Sequence, residues 1–315
     1  MFRQKIDQLM WQRHRRILFA IALLTLLGML IGSFVALHTV VADHGTHQMV
    51  NVGLIKQWRP YNGTYFSAYS MWLLLAAWLS GLVVMHLDLR DHFNQFLFSS
   101  GYSRKRIYWS KLKVTWSVLL LLNVVATAVD YLIFWWGTPH GYTWTIAWPG
   151  VLTSWLVGAI MSLGLFAITW FASIIVGQSG PLVITVAGFT ISLAGFSGIG
   201  DTILTRGLFK LTGDQAMWVG LIVWLIAALV LFVWGAALYQ HLSLEHNGEY
   251  LLFPRLRVPV YIVFVLYMTL IFSWSAVDGV SAIVAFVLSA LFGYAWLWRP
   301  RLGEQWHQWR ERKQG

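Results

Sequence analysis

Residues 17–37 read ILFAIALLTLLGMLIGSFVAL, an unbroken apolar run without a single charge. A helix needs about 20 such residues to cross a hydrocarbon core of about 30 Å, so this run is long enough to span a bilayer. Met1 to Arg16, just before it, is basic, as in a secretory signal. The run is longer than the 7–15 residues of a typical signal core, and no small-residue cleavage site follows, so it is expected to stay as an uncleaved first span.

The pattern recurs along the chain. Apolar spans are expected near 17–37, 66–86, 114–136, 150–176, 182–200, 217–238, 257–275 and 279–298. Only 11% of the 315 residues are charged and 58% are hydrophobic, against about 25% charged in a soluble domain. Backbone groups inside a bilayer must be satisfied within the chain, so the expected fold is an all-α polytopic bundle. Pro181 opens the fifth span and Gly188, Gly195, Gly198 and Gly200 interrupt it. A broken or re-entrant segment there would lower the count from eight to six or seven.

The formal charge of +10 does not point to nucleic acid, because the basic residues stand in short groups beside apolar spans. They read as topology signals. With a cytoplasmic N-terminus, 18 of the 22 Lys and Arg fall on the inner side, and only Lys56, Arg59, Arg206 and Lys210 fall outside. Both termini are therefore expected in the cytoplasm. Trp58, Trp135, Trp136, Trp144 and Trp148 would form an outer interfacial belt, and Trp11, Trp109, Trp298, Trp306 and Trp309 an inner one. The chain contains no cysteine, which removes disulfides and thiolate chemistry. It reads as one transmembrane domain, 1–315, with an amphipathic inner-surface helix over 1–16 and a cytoplasmic loop over 87–113. A second loop covers 239–256 and a basic tail 299–315. Phe2, Ile6, Leu9, Met10 and Arg13 give the first helix its apolar stripe and basic flank.

The loop over 87–113 is the most informative segment. Leu89, Phe93, Phe96 and Leu97 fall at i, i+4, i+7 and i+8, one apolar face of a helix that Gly101 would end. Ser103 would cap a second helix carrying Arg104, Lys105, Arg106 and Lys111. The residue pattern alone admits two readings, a helix anchored on anionic lipid or a rigid helical elbow.

The stretch Ser100-Gly101-Tyr102-Ser103-Arg104-Lys105-Arg106-Ile107-Tyr108-Trp109-Ser110-Lys111 resembles the Ser-Arg-Lys segment after the second span of ABC type-2 transporter permeases. Leu244-Glu245-His246-Asn247-Gly248-Glu249-Tyr250-Leu251-Leu252-Phe253 is similar to a pattern late in the Ytr-type subgroup. The resemblance implies a permease subunit of an ATP-driven exporter in a bacterial cell membrane. Leu89, Phe93, Phe96, Leu97, Ser103, Arg104, Lys105, Arg106 and Lys111 would couple to an ABC ATP-binding subunit. Glu245, Gly248, Glu249 and Phe253 would be a second contact or an internal brace. A second permease copy or a related permease would complete the pathway, as a homo- or heterodimer.

ATP and Mg would sit on the partner ATPase, since this chain lacks the G-x-x-x-x-G-K-[ST] phosphate loop; no cofactor or metal is expected on the chain itself. The Gly195–Gly200 cluster lies in an apolar span without the strand, turn and helix of a dinucleotide site. The family layout has six spans, and this chain has two more at its C-terminal end. The alternative is an ATP-independent polytopic sensor or assembly subunit. An intramembrane enzyme is disfavoured, because neither an H-E-x-x-H motif nor a close pair of in-span carboxylates is found.

Asp130 is the acid placed well inside a span, where an ionisable group lines a substrate path or is paired structurally. His38, Asp43, His44 and His47 carry metal-ligand chemistry at a spacing better suited to a solvated loop. Ile203, Leu204, Leu208, Phe209 and Leu211 suit either an amphipathic helix on the outer leaflet or an exit from the pathway.

Overall fold

The computed structural model describes residues 2–42, 58, 67–141, 148–205, 210–242, 250–274 and 279–298. The chain forms α1 (Phe2–Ala42), α2 (Met71–Arg90), α3 (Phe93–Ser99), α4 (Arg104–Gly137), α5 (Gly150–Ile175), α6 (Ser179–Thr205) and α7 (Gly213–Gln240). A 3₁₀ turn (Pro254–Leu256) then leads into α8 (Arg257–Trp274) and α9 (Gly279–Trp298). Among the described residues, every one of these except α3 and the 3₁₀ turn is long and apolar enough to cross a membrane, giving eight candidate spans. They match the eight expected from the sequence. The fifth, α6, is one continuous helix despite its glycines and not a broken segment.

α1 departs from the expected plan. No separate surface helix covers 1–16, because nothing between Arg16 and Ile17 breaks the backbone, and one helix of 41 residues runs through both parts. At 1.5 Å per residue it is about 60 Å long, roughly twice the hydrocarbon thickness. Ile6, Met10, His14, Leu18 and Ile21 recur at i, i+4 or i+3 and are all buried. The stripe therefore packs on protein rather than on lipid. Its partner is α4, which runs parallel to it: Asp7 accepts from Ser110 and Lys113, Ser33 donates to Asp130, and Leu37 packs at Gly137. Both helices extend well past the apolar layer at the same end.

That end also holds α3, the ends of α2 and α7 and the start of α8; we refer to it as the elbow end. The core between α1, α2, α4, α5 and α7 contains Trp170, Phe166, Tyr108, Phe232 and Tyr239. α2 and α5 approach closely at Gly81, where a Cβ would lie 2.7 Å from the Phe166 carbonyl oxygen. α7 begins with a reciprocal cap in which Thr212 accepts from the Gln215 backbone and the Gln215 side chain accepts from Thr212. The outer faces expose large apolar side chains at mid-helix, such as Ile31, Leu121, Val233, Val263 and Leu291. So large an apolar surface is suited to lipid contact. At the opposite end Trp135, Trp136 and Trp148 are exposed, while Trp144, Trp306 and Trp309 lie outside the described residues.

Candidate functional site

The helical run expected through Leu89 and Leu97 breaks in the middle. α2 stops at Arg90, the Asp91 N–H closes its last turn on the Leu87 carbonyl, and His92 turns left-handed with φ 55°. α3 then starts in a new direction, so position 89 falls on a different helix from 93, 96 and 97, and within α3 Leu97 turns to the core while Phe96 turns outward. Leu89 and Leu97 are buried inside the chain, and this corrects the expected stripe. Gly101, at φ 80°, ends the turn after α3 as expected. Ser103 occupies the N-cap position of α4, but its side chain makes no capping hydrogen bond.

α3 is held from beneath by a buried polar cluster. Asp88 and Lys111 are both fully buried and form an ion pair at 2.6 Å. Lys111 Nζ also donates to Asn94 Oδ1 at 2.8 Å and to Tyr239 Oη at 3.3 Å. The Tyr239 hydroxyl donates to the same Asn94 oxygen at 2.8 Å. His14 Nε2 stands 3.2 Å from Asp88 Oδ2, the oxygen that Lys111 also meets, and Arg13 Nε lies 3.4 Å from Oδ1. One carboxylate thus gathers groups from α1, α2 and α4, and Lys111 extends the cluster to α3 and α7. Buried charges are tolerated only when paired and hydrogen-bonded in this way.

Lys111 is therefore an interior residue. Its expected role as a surface contact is incompatible with its burial, because no partner reaches it without dismantling the ion pair. Arg104 also turns inward, donating to the carbonyls of Gln240 (3.1 Å) and Leu242 (2.8 Å) and stacking over Phe98 at 4.3 Å. There it satisfies carbonyls left open at the end of α7. Arg106 lies over the Tyr102 ring at 5.9 Å. Phe93 is half-buried under Arg13, at 4.9 Å, and stacks with Phe96. Phe96 itself is 56% exposed; Gln95 and Ser99 on the same helix are exposed too, and Lys105 is exposed on α4.

Outside the cluster, Asp91 bonds Arg13 at 2.7 Å and Arg90 at 3.2 Å. Hydrogen bonds from Arg13 and then Arg90 hold its carboxyl below the usual carboxylate range.

Of the second loop, Glu245, Gly248 and Glu249 lie outside the described residues. Phe253 is half-buried against the core. The strand-like pair Val176 and Leu251, with Gly177 N–H donating to Tyr250 and Leu252 N–H to Ile175, fixes this segment onto the end of α5. Asp130 is buried between α1 and α4, where Ser33 donates to it. Asp43, His44 and His47 lie outside the described residues, as do Phe209 and the tail. Among the described residues, no group of three or more His, Asp or Glu converges on a metal position.

The polar residues absent from the sequence reading are Asp88, Asn94, His14 and Tyr239. Lys111 carried a readable signal, since Ile107, Tyr108, Lys111, Leu112 and Thr115 follow one helical stripe. A lysine on an apolar stripe points to a buried partner.

Fold and site together define a polytopic α-helical membrane protein with a short, rigidly seated helix between two spans. The chain matches no family model, no curated protein and no solved structure.

Proposed function

We propose that this chain is the membrane subunit of an ATP-driven ABC type-2-like exporter, with α3 as the element that docks on a separate ATP-binding subunit. The observation that carries the proposal is the asymmetry of α3. Asn94 bonds Lys111 of α4 and Tyr239 of α7 and Leu97 is buried in the core, while Phe96 is presented outward. Exposed aromatic residues seated on a rigid support are the usual anchors of a protein interface. A plain lipid anchor needs no such support.

The coupling follows from rigidity. A push on α3 is delivered through Asn94 to Lys111 and Tyr239, and from them to α4, α7 and, through Asp88, α2 and α1. The spans then move as connected bodies around a pathway completed by a second permease. ATP and Mg belong to the partner ATPase. The roles assigned to Leu89, Leu97 and Lys111 become seating roles, and Phe96, Phe93, Lys105 and Arg106 remain as contacts.

The test is purification of the tagged full chain from its native host in mild detergent, with mass spectrometry and an ATPase assay. Retention of a stoichiometric ABC ATPase by the native chain, and its loss on Phe96→Ala without loss of folded protein, are expected. A preparation that retains no ATPase under mild conditions overturns the proposal in favour of an ATP-independent sensor or assembly subunit.

A further inference from the structure

α8 and α9 form a hairpin attached to the rest of the chain mainly through α6 and the 3₁₀ turn. Where it meets α6 the packing is incomplete. Thr185, Gly188, Phe189 and Ser192 recur at i, i+3, i+4 and i+7, so one face of α6 walls a cavity of about 270 Å³ against α8 and α9. Phe264, Met268 and Phe292 line this cavity and also a cleft of about 660 Å³ between α8 and α9. The two spaces adjoin at these three side chains and together form a track once the side chains turn aside, in the size range of small-molecule sites, about 300–1,000 Å³.

Its dimensions decide what fits. Along α9 the lining runs from Val280 to Leu297, a rise of about 25 Å at 1.5 Å per residue. One leaflet is only about half of a 30 Å core, so the track passes the midplane. It is also narrow: about 660 Å³ spread along α9 from Val280 to Phe292, a rise of about 18 Å, leaves a cross-section of only about 37 Å². A helix of a second chain, about 10–12 Å across, does not enter such a slot. Water is excluded by an almost wholly apolar lining.

The lining side chains Val284, Leu288 and Phe292 are themselves half exposed or more, so the wide half opens sideways to the bilayer. Polar groups line both halves: Thr185 and Tyr250 share a hydrogen bond at 3.1 Å at the elbow end, Ser192 and Tyr267 one at 2.8 Å near mid-helix, and Ser281 and Ser289 line the cleft between α8 and α9.

We infer that this track binds one long hydrocarbon chain of a membrane amphiphile, its polar end toward Tyr250 and Thr185 and its tail between Ala285 and Met268. The inference does not depend on coupling to an ATPase.

Gly188 provides a clean test, because a Cβ there meets no atom within 4 Å. Gly188→Phe is accommodated by the backbone and fills the elbow half of the track. The full chain is placed in nanodiscs containing a phosphatidylglycerol with a diazirine at the end of a long acyl chain, irradiated, digested and mapped. Labelling is expected to concentrate on α8 and α9 peptides around Ala285 and Ser289. Gly188→Phe is expected to lower it by about tenfold, with the smaller Gly188→Leu falling between, while labelling of the exposed α1 face stays constant.

Labelling spread over all lipid-facing helices in proportion to exposure would overturn the inference. So would α8–α9 labelling unchanged in both variants. Cross-linked dimers joined through α8 and α9 would do the same, by assigning the surface to a second copy.

Discussion

Lys111 shows what a single buried charge does in this molecule. Its ammonium group satisfies Asp88, Asn94 and Tyr239 at once, so Lys111→Met leaves the Asp88 carboxylate buried with only its α1 partners. Breaking a buried pair from one side costs about 3–5 kcal/mol. We expect a correspondingly large loss of thermal stability in detergent, with much of it recovered when Asp88→Leu is added, since an apolar pair of similar size needs no compensating charge.

Asp91 lies at the other extreme. Its lowered pKa stabilises the fold at pH above the unfolded value of about 3.9 and that contribution is lost as the pH falls through the lower folded value. Its exposure to solvent keeps the effect small. From the sequence Lys111 groups naturally with Arg104, Lys105 and Arg106. Its position on the stripe with Ile107 and Thr115 separates it from them, but the identity of its partner, 23 residues earlier, depends on the tertiary fold.

At the scale of elements, span positions were legible because a long apolar run leaves few alternatives in a bilayer. The ends were legible where chemistry marks them: Gly101 at positive φ, and Ser103 at the N-cap position of α4. The break between α2 and α3 was not, since Arg90-Asp91-His92 contains neither Gly nor Pro and continues the helical period. Nor was the continuity of α1, whose basic stretch looks like a surface helix until α4 is seen beside it. Packing distances are a third kind of hidden fact.

Gly81→Ala places a methyl group against the Phe166 carbonyl and Thr169, and the backbone of α5 has no room to give. We expect a loss of about 1–3 kcal/mol, the usual cost of overpacking, read as a lower midpoint in denaturant titration. Phe96, exposed on α3, allows the opposite expectation: Phe96→Ala leaves stability nearly unchanged and affects partner binding.

For the whole molecule, eight helices suited to span a bilayer and the concentration of Lys and Arg at the elbow end give a consistent picture. An even number of crossings returns the chain to the side where it began. If α3 is to receive an ATPase, the elbow end must face the compartment that contains ATP, which is the side the positive-inside bias predicts for it. Among the described residues the α8–α9 hairpin lies apart from the α3 cluster and joins the rest of the chain mainly through α6, the 3₁₀ turn and the packing of Leu297 with Leu82 and Val176.

Because the native chain has no cysteine, orientation can be measured with single substitutions on an unaltered background. Phe96→Cys and Trp58→Cys, both at exposed positions, are treated in intact host cells with a membrane-impermeant maleimide and again after permeabilisation. We predict that position 58 reacts in intact cells and that position 96 reacts only once the membrane is opened. Reaction of position 96 in intact cells would put α3 on the wrong side for any ATPase and contradict the account at its centre.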